Sequence, residues 1–459
     1  MDGDRRTFPT TSHWGAYGVR VDADGGITVV PHPDDPAPSP LLANVPGGLR
    51  HPTRVARPAV RRGWLEGGPG PADGRGREEF VELDWDEALD LLAAELNRVR
   101  REHGNEAIFG GSYGWASAGR FHHAQSQLHR FLNTIGGFTG SRNSYSNGTS
   151  TVLLPHLVGS ADAVLRAASS WPTIVENTEL IVAFGGIPAK NVFVTPGGVF
   201  TQGRDARGWL VHLYAGWRAD LVGRGIDVPT FEEFWAAGEY RLPAGPSHYT
   251  LFERFRADPD ANPLATPSGR IEIVSATVGS FGYPDCAGHP VWLEPTEWLG
   301  APQAAVHPLH LIANQPSTRL HSQLDGGAVS QAAKIAGREA VRIHPTDAAA
   351  RGIAGGDVVR VFNERGGCLA GAVLTDDLRP GVVQLPTGAW FDPLDDHPSG
   401  PLCVHGNPNV LTADVPTSRL SQGCVGQHAL VEIKRWVGEL PPLTVAASPP
   451  GTRPWSARP

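Results

Sequence analysis

Two apolar runs that break off into paired glycines constrain this chain more than any other feature. Ala107-Ile108-Phe109 runs into Gly110-Gly111, and Leu180 to Phe184 runs without interruption into Gly185-Gly186. A short, wholly apolar run bounded by turn residues reads as a buried parallel strand. The first follows a helical pattern. Asp84 to Gly104 is predicted as a helix: Asp84 caps it, Glu87 completes a capping box, and Gly104 takes the C′ position. Ala88, Leu91, Leu92, Leu96 and Val99 form its apolar stripe. A second helix is predicted over residues 118–135, with Phe121, Ala124, Leu128, Phe131 and Ile135 on one face. Helix, strand, glycine loop, helix and strand in that order define an α/β class with an open sheet.

The remaining chain has other textures. Residues 13–35 alternate briefly (Val19, Val21, Ile27, Val29) around Gly25-Gly26 and read as a small β unit, whereas 31–78, rich in Pro, Gly and Arg, read as loop. No boundary is placed within 200–260. From residue 305 short strands are predicted at His310–Ala313, Ala340–Ile343, Val358–Phe362, Cys368–Val373 and Val382–Leu385, with a short helix near 346–351. That spacing specifies a compact β-barrel. The expected domains are a β-rich segment (1–60), a truncated α/β domain (61–205), a connecting segment (206–300), the barrel (301–445) and a tail (446–459).

Composition removes several function classes. The net charge is −8 and the basic residues are scattered, so there is no basic stripe for nucleic acid. No apolar run reaches the length of a membrane span. The four cysteines, Cys286, Cys368, Cys403 and Cys424, form no Cys-x-x-Cys pair, which argues against a disulfide framework. No cysteine precedes Cys286, so an iron–sulfur cluster in the N-terminal portion has no thiolate ligands. Arg5-Arg6-Thr7-Phe8 looks like the start of an export signal, but Pro9 to Gly15 is polar where an apolar region belongs; the expected location is cytoplasmic.

Three loops could carry chemistry. Gly110 to Ser117 lies where a strand meets a helix N-terminus, a place that favours an anion, and brings the Tyr113 and Trp115 donors there; on the residues alone a glycine turn with packed aromatics is the stronger reading. Ser144-Tyr145-Ser146-Asn147-Gly148 has no elbow motif around it and reads as a turn, and an ionised Ser146 oxygen would need a metal ion beside it. Asn314 to Gln323 is dense in hydrogen-bond donors, and Arg319 could grip a phosphate with its fork. A similar set recurs at His405 to Thr412, which hints at a large ligand rich in heteroatoms. His122, His123 and His129 are read as structural or surface histidines, because their spacing is too open for zinc.

Several strings, in order along the chain, resemble the molybdopterin oxidoreductases of the dimethyl sulfoxide reductase family, in its biotin sulfoxide and trimethylamine N-oxide reductase branch. They are Ser12-His13-Trp14-Gly15, Tyr113-Gly114-Trp115, Tyr145-Ser146, Ser170-Trp171-Pro172, Glu176-Asn177-Thr178, Ser268 to Ile273, Gly282 to Cys286, Arg319 to Leu324 and Pro416 to Leu420. The resemblance implies one molybdenum in a bis(molybdopterin guanine dinucleotide) cofactor and no iron–sulfur cluster. It implies a double-psi type of barrel, with Ser146 as the metal ligand and Tyr113 and Trp115 lining the metal pocket. Ser117, Lys190 and Asn191 fall where the family contacts the pterins, and Arg319, His321, Ser322, Gln323, Asn409 and Gln427 fall in cofactor-facing segments. The implied reaction is oxygen-atom transfer from a small S-oxide or N-oxide, with electrons from an unidentified donor. One departure stands out. After Lys190 to Gly198 the chain passes within about 35 residues to Phe231-Glu232-Glu233-Phe234-Trp235, which already resembles the approach to the barrel, so a stretch on the order of two domains is missing. A working reductase on a reduced frame, an inactive remnant, and a pterin-binding protein without turnover all remain open on the sequence.

Overall fold

The structure, a computed structural model, describes every residue except 1–6, 13, 24, 36, 72–77, 113–123, 146, 167–168, 170, 183–213, 216, 220, 224, 238–249, 395–400 and 453–459. The chain starts with an antiparallel meander of β1 (Thr7–Ser12), β2 (Gly15–Val21) and β3 (Ile27–Pro31). The turn between β2 and β3 closes through the Asp22 carbonyl, which accepts the Gly25 N–H at 2.9 Å. The segment expected as plain loop contains an anchor. Ser39 starts a tight turn over Pro40–Asn44 by accepting the Leu41 N–H at 3.3 Å, and Leu41 and Leu42 bury against Trp14, Tyr17 and Leu320. It also contains β4 (Ala59–Arg61), which pairs with β5 (Phe80–Glu82).

The capped helix forms over Trp85–His103, with the Asp84 carboxylate accepting the Glu87 N–H at 2.9 Å and Gly104 at φ 77°. The second helix is Ala124–Thr134; the first part of the expected span, 118–123, lies outside the described residues. Phe109 and Thr139 make one parallel bridge, and Asn105 ties this corner by donating to the carbonyls of Ile135 and Gly137. The strand expected from Leu180 is a correction. Leu180, Ile181 and Val182 carry no strand pairing and are 78%, 60% and 65% exposed; residues 183–184 lie outside the described set. A parallel strand is stable only with neighbours beside it and helices over both faces, and among the described residues those elements are absent. Trp85, Leu89 and Leu92 of the capped helix are likewise exposed among the described residues.

The C-terminal region is a closed barrel. Its strands are β6 (Leu309–Ile312), β7 (Ala340–Ile343), β8 (Val358–Asn363), β9 (Gly366–Leu374), β10 (Val382–Gln384) and β13 (Ala429–Arg435), while β11 (Pro393–Leu394) and β12 (Leu402–Cys403) extend it from β9. The ring runs β9-β7-β10-β6-β13-β8 and closes by β8 pairing with β9. Two pairs, β7 with β9 and β6 with β10, are parallel and the others antiparallel. Alternation sets the core: Val359 and Val361 of β8 point in with Leu309, Leu311, Ile343, Val383, Val431 and Ile433. β9 is buried on both faces. Cys368, Ala370 and Ala372 face the barrel interior, whereas Leu369 packs with Leu402 and Val404 on the outside. The expected strands all form within one or two residues, and the short helix forms at Pro345–Ala349. Thus the chain is a mixed α and β protein with a C-terminal barrel, as the sequence texture specified; among the described residues the α/β part pairs only through the Phe109–Thr139 bridge.

Candidate functional site

One end of the barrel gathers the donor-rich loops. β6 and β10 are parallel, so the loops that follow them, 313–325 and 385–392, leave on the same side. β13 runs antiparallel to β6, which brings the loop before it, 416–428, to that side as well. The Gln427 side-chain amide fastens this loop to the first by accepting the Ala313 N–H at 3.0 Å and donating to its carbonyl at 2.8 Å. The exposed Asn409 sits on a turn over Pro408–Val410, where the Asn407 side chain accepts the Asn409 N–H at 2.9 Å. That turn is held beside β13 because Asn363 donates to the carbonyls of both Leu411 and Leu430.

The loop around Ser146 arrives at the same place. Ser146 itself lies outside the described residues, but its flanks are anchored on the loop before β13. Asn143 donates to the Ser421 carbonyl at 2.8 Å, and Thr149 lies 3.2 Å from the hydroxyls of Thr417 and Ser421. The Cys424 thiol is 3.6 Å from the Tyr145 carbonyl. The packing at this junction is tight, since a Cβ on Gly148 would stand 3.0 Å from the Asn143 amide. Tyr113, Trp115, Ser117, Lys190 and Asn191 lie outside the described residues.

Of the barrel residues expected to face a cofactor, His321 and Ser322 are exposed on the turn after Leu320. His321 stands at φ 49° with its Nδ1 2.6 Å from the Gln315 amide. The Ser322 carbonyl accepts the Trp390 indole N–H at 2.8 Å, and the Gln323 N–H closes the turn onto the Leu320 carbonyl at 2.9 Å. Arg319 is different. Its side chain is wholly buried and every arm of its fork meets the protein: Nε the His321 carbonyl, Nη1 the Ser330 hydroxyl, Nη2 the Thr387 carbonyl and the Glu339 carboxylate. The phosphate-gripping role expected for Arg319 is therefore corrected. A guanidinium so engaged cannot present its two-pronged fork to a ligand, and drawing it out would leave Asp325 and Glu339 as buried, undercompensated charges.

The same cluster holds His405, 3.7 Å from Asp325, with Nδ1 donating to the Trp390 carbonyl at 3.0 Å. Burial, and then the neighbouring Lys334 ammonium, hold this imidazole below its ordinary value, so it is neutral near pH 7. Elsewhere Glu297 docks the connecting segment on the barrel. Burial disfavours its charge, but bonds from Arg365 and the Leu430 N–H outweigh that and keep its carboxyl below the ordinary range. Burial pushes the Cys368 thiol well up, and all four cysteines are free. The His129 ring packs at a tilt against Phe138, centroids 4.7 Å apart, the structural role expected of it, while His122 and His123 lie outside the described residues. Among the described residues no three His, Cys, Asp or Glu side chains gather to hold a metal, and no helix is long and apolar enough to cross a membrane.

The chemistry of this barrel end fits a large polar ligand. The side-chain oxygens Asn314 Oδ1 and Thr387 Oγ1 are both buried with no hydrogen-bond partner. They sit side by side, since the Asn314 carbonyl accepts the Thr387 N–H at 2.8 Å. Buried polar atoms cost about 1–3 kcal/mol each when nothing satisfies them, so this pair is a place where a further hydrogen-bonding group would be stabilising. Gly388 next to them, at φ 90°, lets the backbone lie directly on the His321 carbonyl, where a Cβ would collide.

Comparison with known families agrees with this layout. Three family models match in chain order: Molybdopterin oxidoreductase N-terminal domain over residues 10–50, Molybdopterin oxidoreductase over 54–195, and Molydopterin dinucleotide binding domain over 309–429. The chain belongs to the molybdopterin oxidoreductase family. Within it, the chain is similar to a dimethyl sulfoxide/trimethylamine N-oxide reductase of Cereibacter sphaeroides, 25% identical over 96% of this chain and 93% of that one. It is likewise similar to a biotin sulfoxide reductase of the same organism, 27% identical over 90% and 97%. Trimethylamine-N-oxide reductase 1 of Escherichia coli K12 is 46% identical, over 53% of this chain but only 29% of its own length. The first alignment spans 770 positions, at least 311 more than the 459 residues present here. The family models leave 196–308 unmatched, the interval where the sequence places the shortfall.

Proposed function

We propose that this chain binds a bis(molybdopterin guanine dinucleotide) molybdenum cofactor at the barrel end and reduces a small S-oxide or N-oxide. The observation that carries the reading is the junction at which the loop flanking Ser146 is bonded to the loop before β13, which Gln427 in turn fastens to the donor-rich loop after β6. When bound, the molybdenum centre supplies the two-electron chemistry that removes oxygen from the oxide. The chain supplies the rest. Ser146 is proposed as the protein's oxygen ligand, a hard donor suited to a hard, highly charged metal. Tyr113 and Trp115 would donate hydrogen bonds to the oxide oxygen and orient it. Ser117, Lys190 and Asn191 would hold the pterins from the α/β side, and His321, Ser322, Gln323, Asn409 and Gln427 from the barrel side. The electrons come from a separate reductant, and no nucleic acid or membrane partner is part of the reading.

A second reading has its own support. At least 311 aligned positions have no counterpart here, and the Leu180–Val182 run is exposed, which favours a protein that binds pterin without turnover. Sulfoxide-dependent oxidation of reduced viologen by the wild type and by Ser146→Ala, with pterin measured in both, separates the two. Turnover that is abolished in Ser146→Ala while pterin is retained supports the reductase. Turnover that survives the substitution removes Ser146 as the ligand. Pterin without turnover in the wild type supports the second reading.

A further inference from the structure

We propose that Arg319 is a positioning residue which sets the distance between the two loops that face the cofactor, acting through their backbone carbonyls. The inference rests on the cofactor-binding reading above. The Arg319 Nε donates to the His321 carbonyl at 3.0 Å and Nη2 to the Thr387 carbonyl at 3.1 Å. One carbonyl belongs to the loop after β6 and the other to the loop after β10. A planar guanidinium thus fixes their spacing, and the Trp390 indole N–H on the Ser322 carbonyl ties the same two loops a second time.

The charge that does this is balanced in place. Asp325 and Glu339 lie 3.3 Å and 2.9 Å from the guanidinium, and the Lys334 ammonium bridges the same two carboxylates at 3.0 Å and 3.2 Å. Two cations and two anions make a neutral cluster, and each is almost wholly buried. Such a cluster is a poor means of raising stability, because apolar packing does as well, but it holds one geometry strictly. What it holds is the backbone that carries His321 and the paired orphan oxygens of Asn314 and Thr387. Lysine does not replace Arg319, because one ammonium on a flexible stem cannot span two carbonyls and two carboxylates in a plane.

The test is hydrogen–deuterium exchange of the full-length protein, wild type and Arg319→Lys, together with pterin released per chain. The expected result is exchange about tenfold faster at amides 320–323 and 387–390, the loss due to one charge-assisted hydrogen bond. Barrel amides at 341–343 and 359–361 keep their wild-type rates, and pterin content falls. Unchanged exchange in the two loops, or a rise shared with the barrel strands, overturns the proposal, as does full pterin retention with both loops loosened. If Arg319→Lys does not fold, Ser330→Ala removes one anchor of the fork, and the same two segments loosen by a smaller factor; unchanged rates there refute it equally. A wild-type protein without pterin defeats the proposed function alone, since the exchange rates still decide what Arg319 does.

Discussion

Replacing Glu297 tests whether the connecting segment is docked on the barrel. The Glu297 carboxylate receives two parallel bonds from Arg365, at 2.8 Å and 2.9 Å, and also accepts the Leu430 N–H at 2.9 Å. Leu430 is 1% exposed, so in Glu297→Ala its N–H loses its partner away from water. An unsatisfied buried donor costs about 1–3 kcal/mol. The ion pair adds less, because Arg365 and Glu297 retain 25% and 14% exposure, and partly solvated pairs contribute about 0.2–1 kcal/mol. The sum is about 1–4 kcal/mol, which for a domain of this size lowers Tm by about 2–16 °C. Glu297→Gln keeps an acceptor for Leu430 and should lose about half as much. Because the folded pKa of Glu297 is depressed, its stabilisation is present above the ordinary glutamate range and is lost as pH falls through the folded value. The gap between wild type and Glu297→Gln, followed by circular dichroism, should therefore narrow as the pH falls below the ordinary glutamate range. A change in Tm below 2 °C for Glu297→Ala at pH 7, or a gap that persists at low pH, refutes the reasoning.

Other outcomes follow from the site. Gly388→Ala places a Cβ on the His321 carbonyl at a backbone φ of 90°; thermal unfolding should show a loss of about 2 kcal/mol or more, and pterin content should fall. His405 is held below its ordinary value by burial and Lys334, so the unfolded chain takes up a proton near pH 6.5 that the folded chain refuses. Stability then falls as pH drops below about 6.5, and denaturant titrations from pH 7 to 5.5 should show a flatter decline in His405→Gln. The flattening is partial, because burial depresses His310 in the same direction.

The barrel was legible because its strands are short apolar runs between glycine turns, each carrying its own signal. β13 went unread: Glu432, Lys434 and Arg435 mask an alternation in which Leu430, Val431 and Ile433 are buried. The Leu180 run misled for the opposite reason. Apolarity states that a strand wants burial, not that partners exist to bury it. At the site, donor density located the loop from Asn314 to Gln323, but the direction of Arg319 could not be read there. Asp325, Lys334 and Glu339 turn it inward from up to 20 residues further on, and Thr387 completes the arrangement from a different strand. Thr387 carried no signal of its own, since a threonine before a glycine reads as a turn.

The most direct test of the account is the molybdenum and pterin content of the purified chain after expression in a host that makes the cofactor. The account predicts near-stoichiometric molybdenum with two pterins per metal, both lowered in Gly388→Ala. Folded protein from that host, free of both metal and pterin, would contradict it.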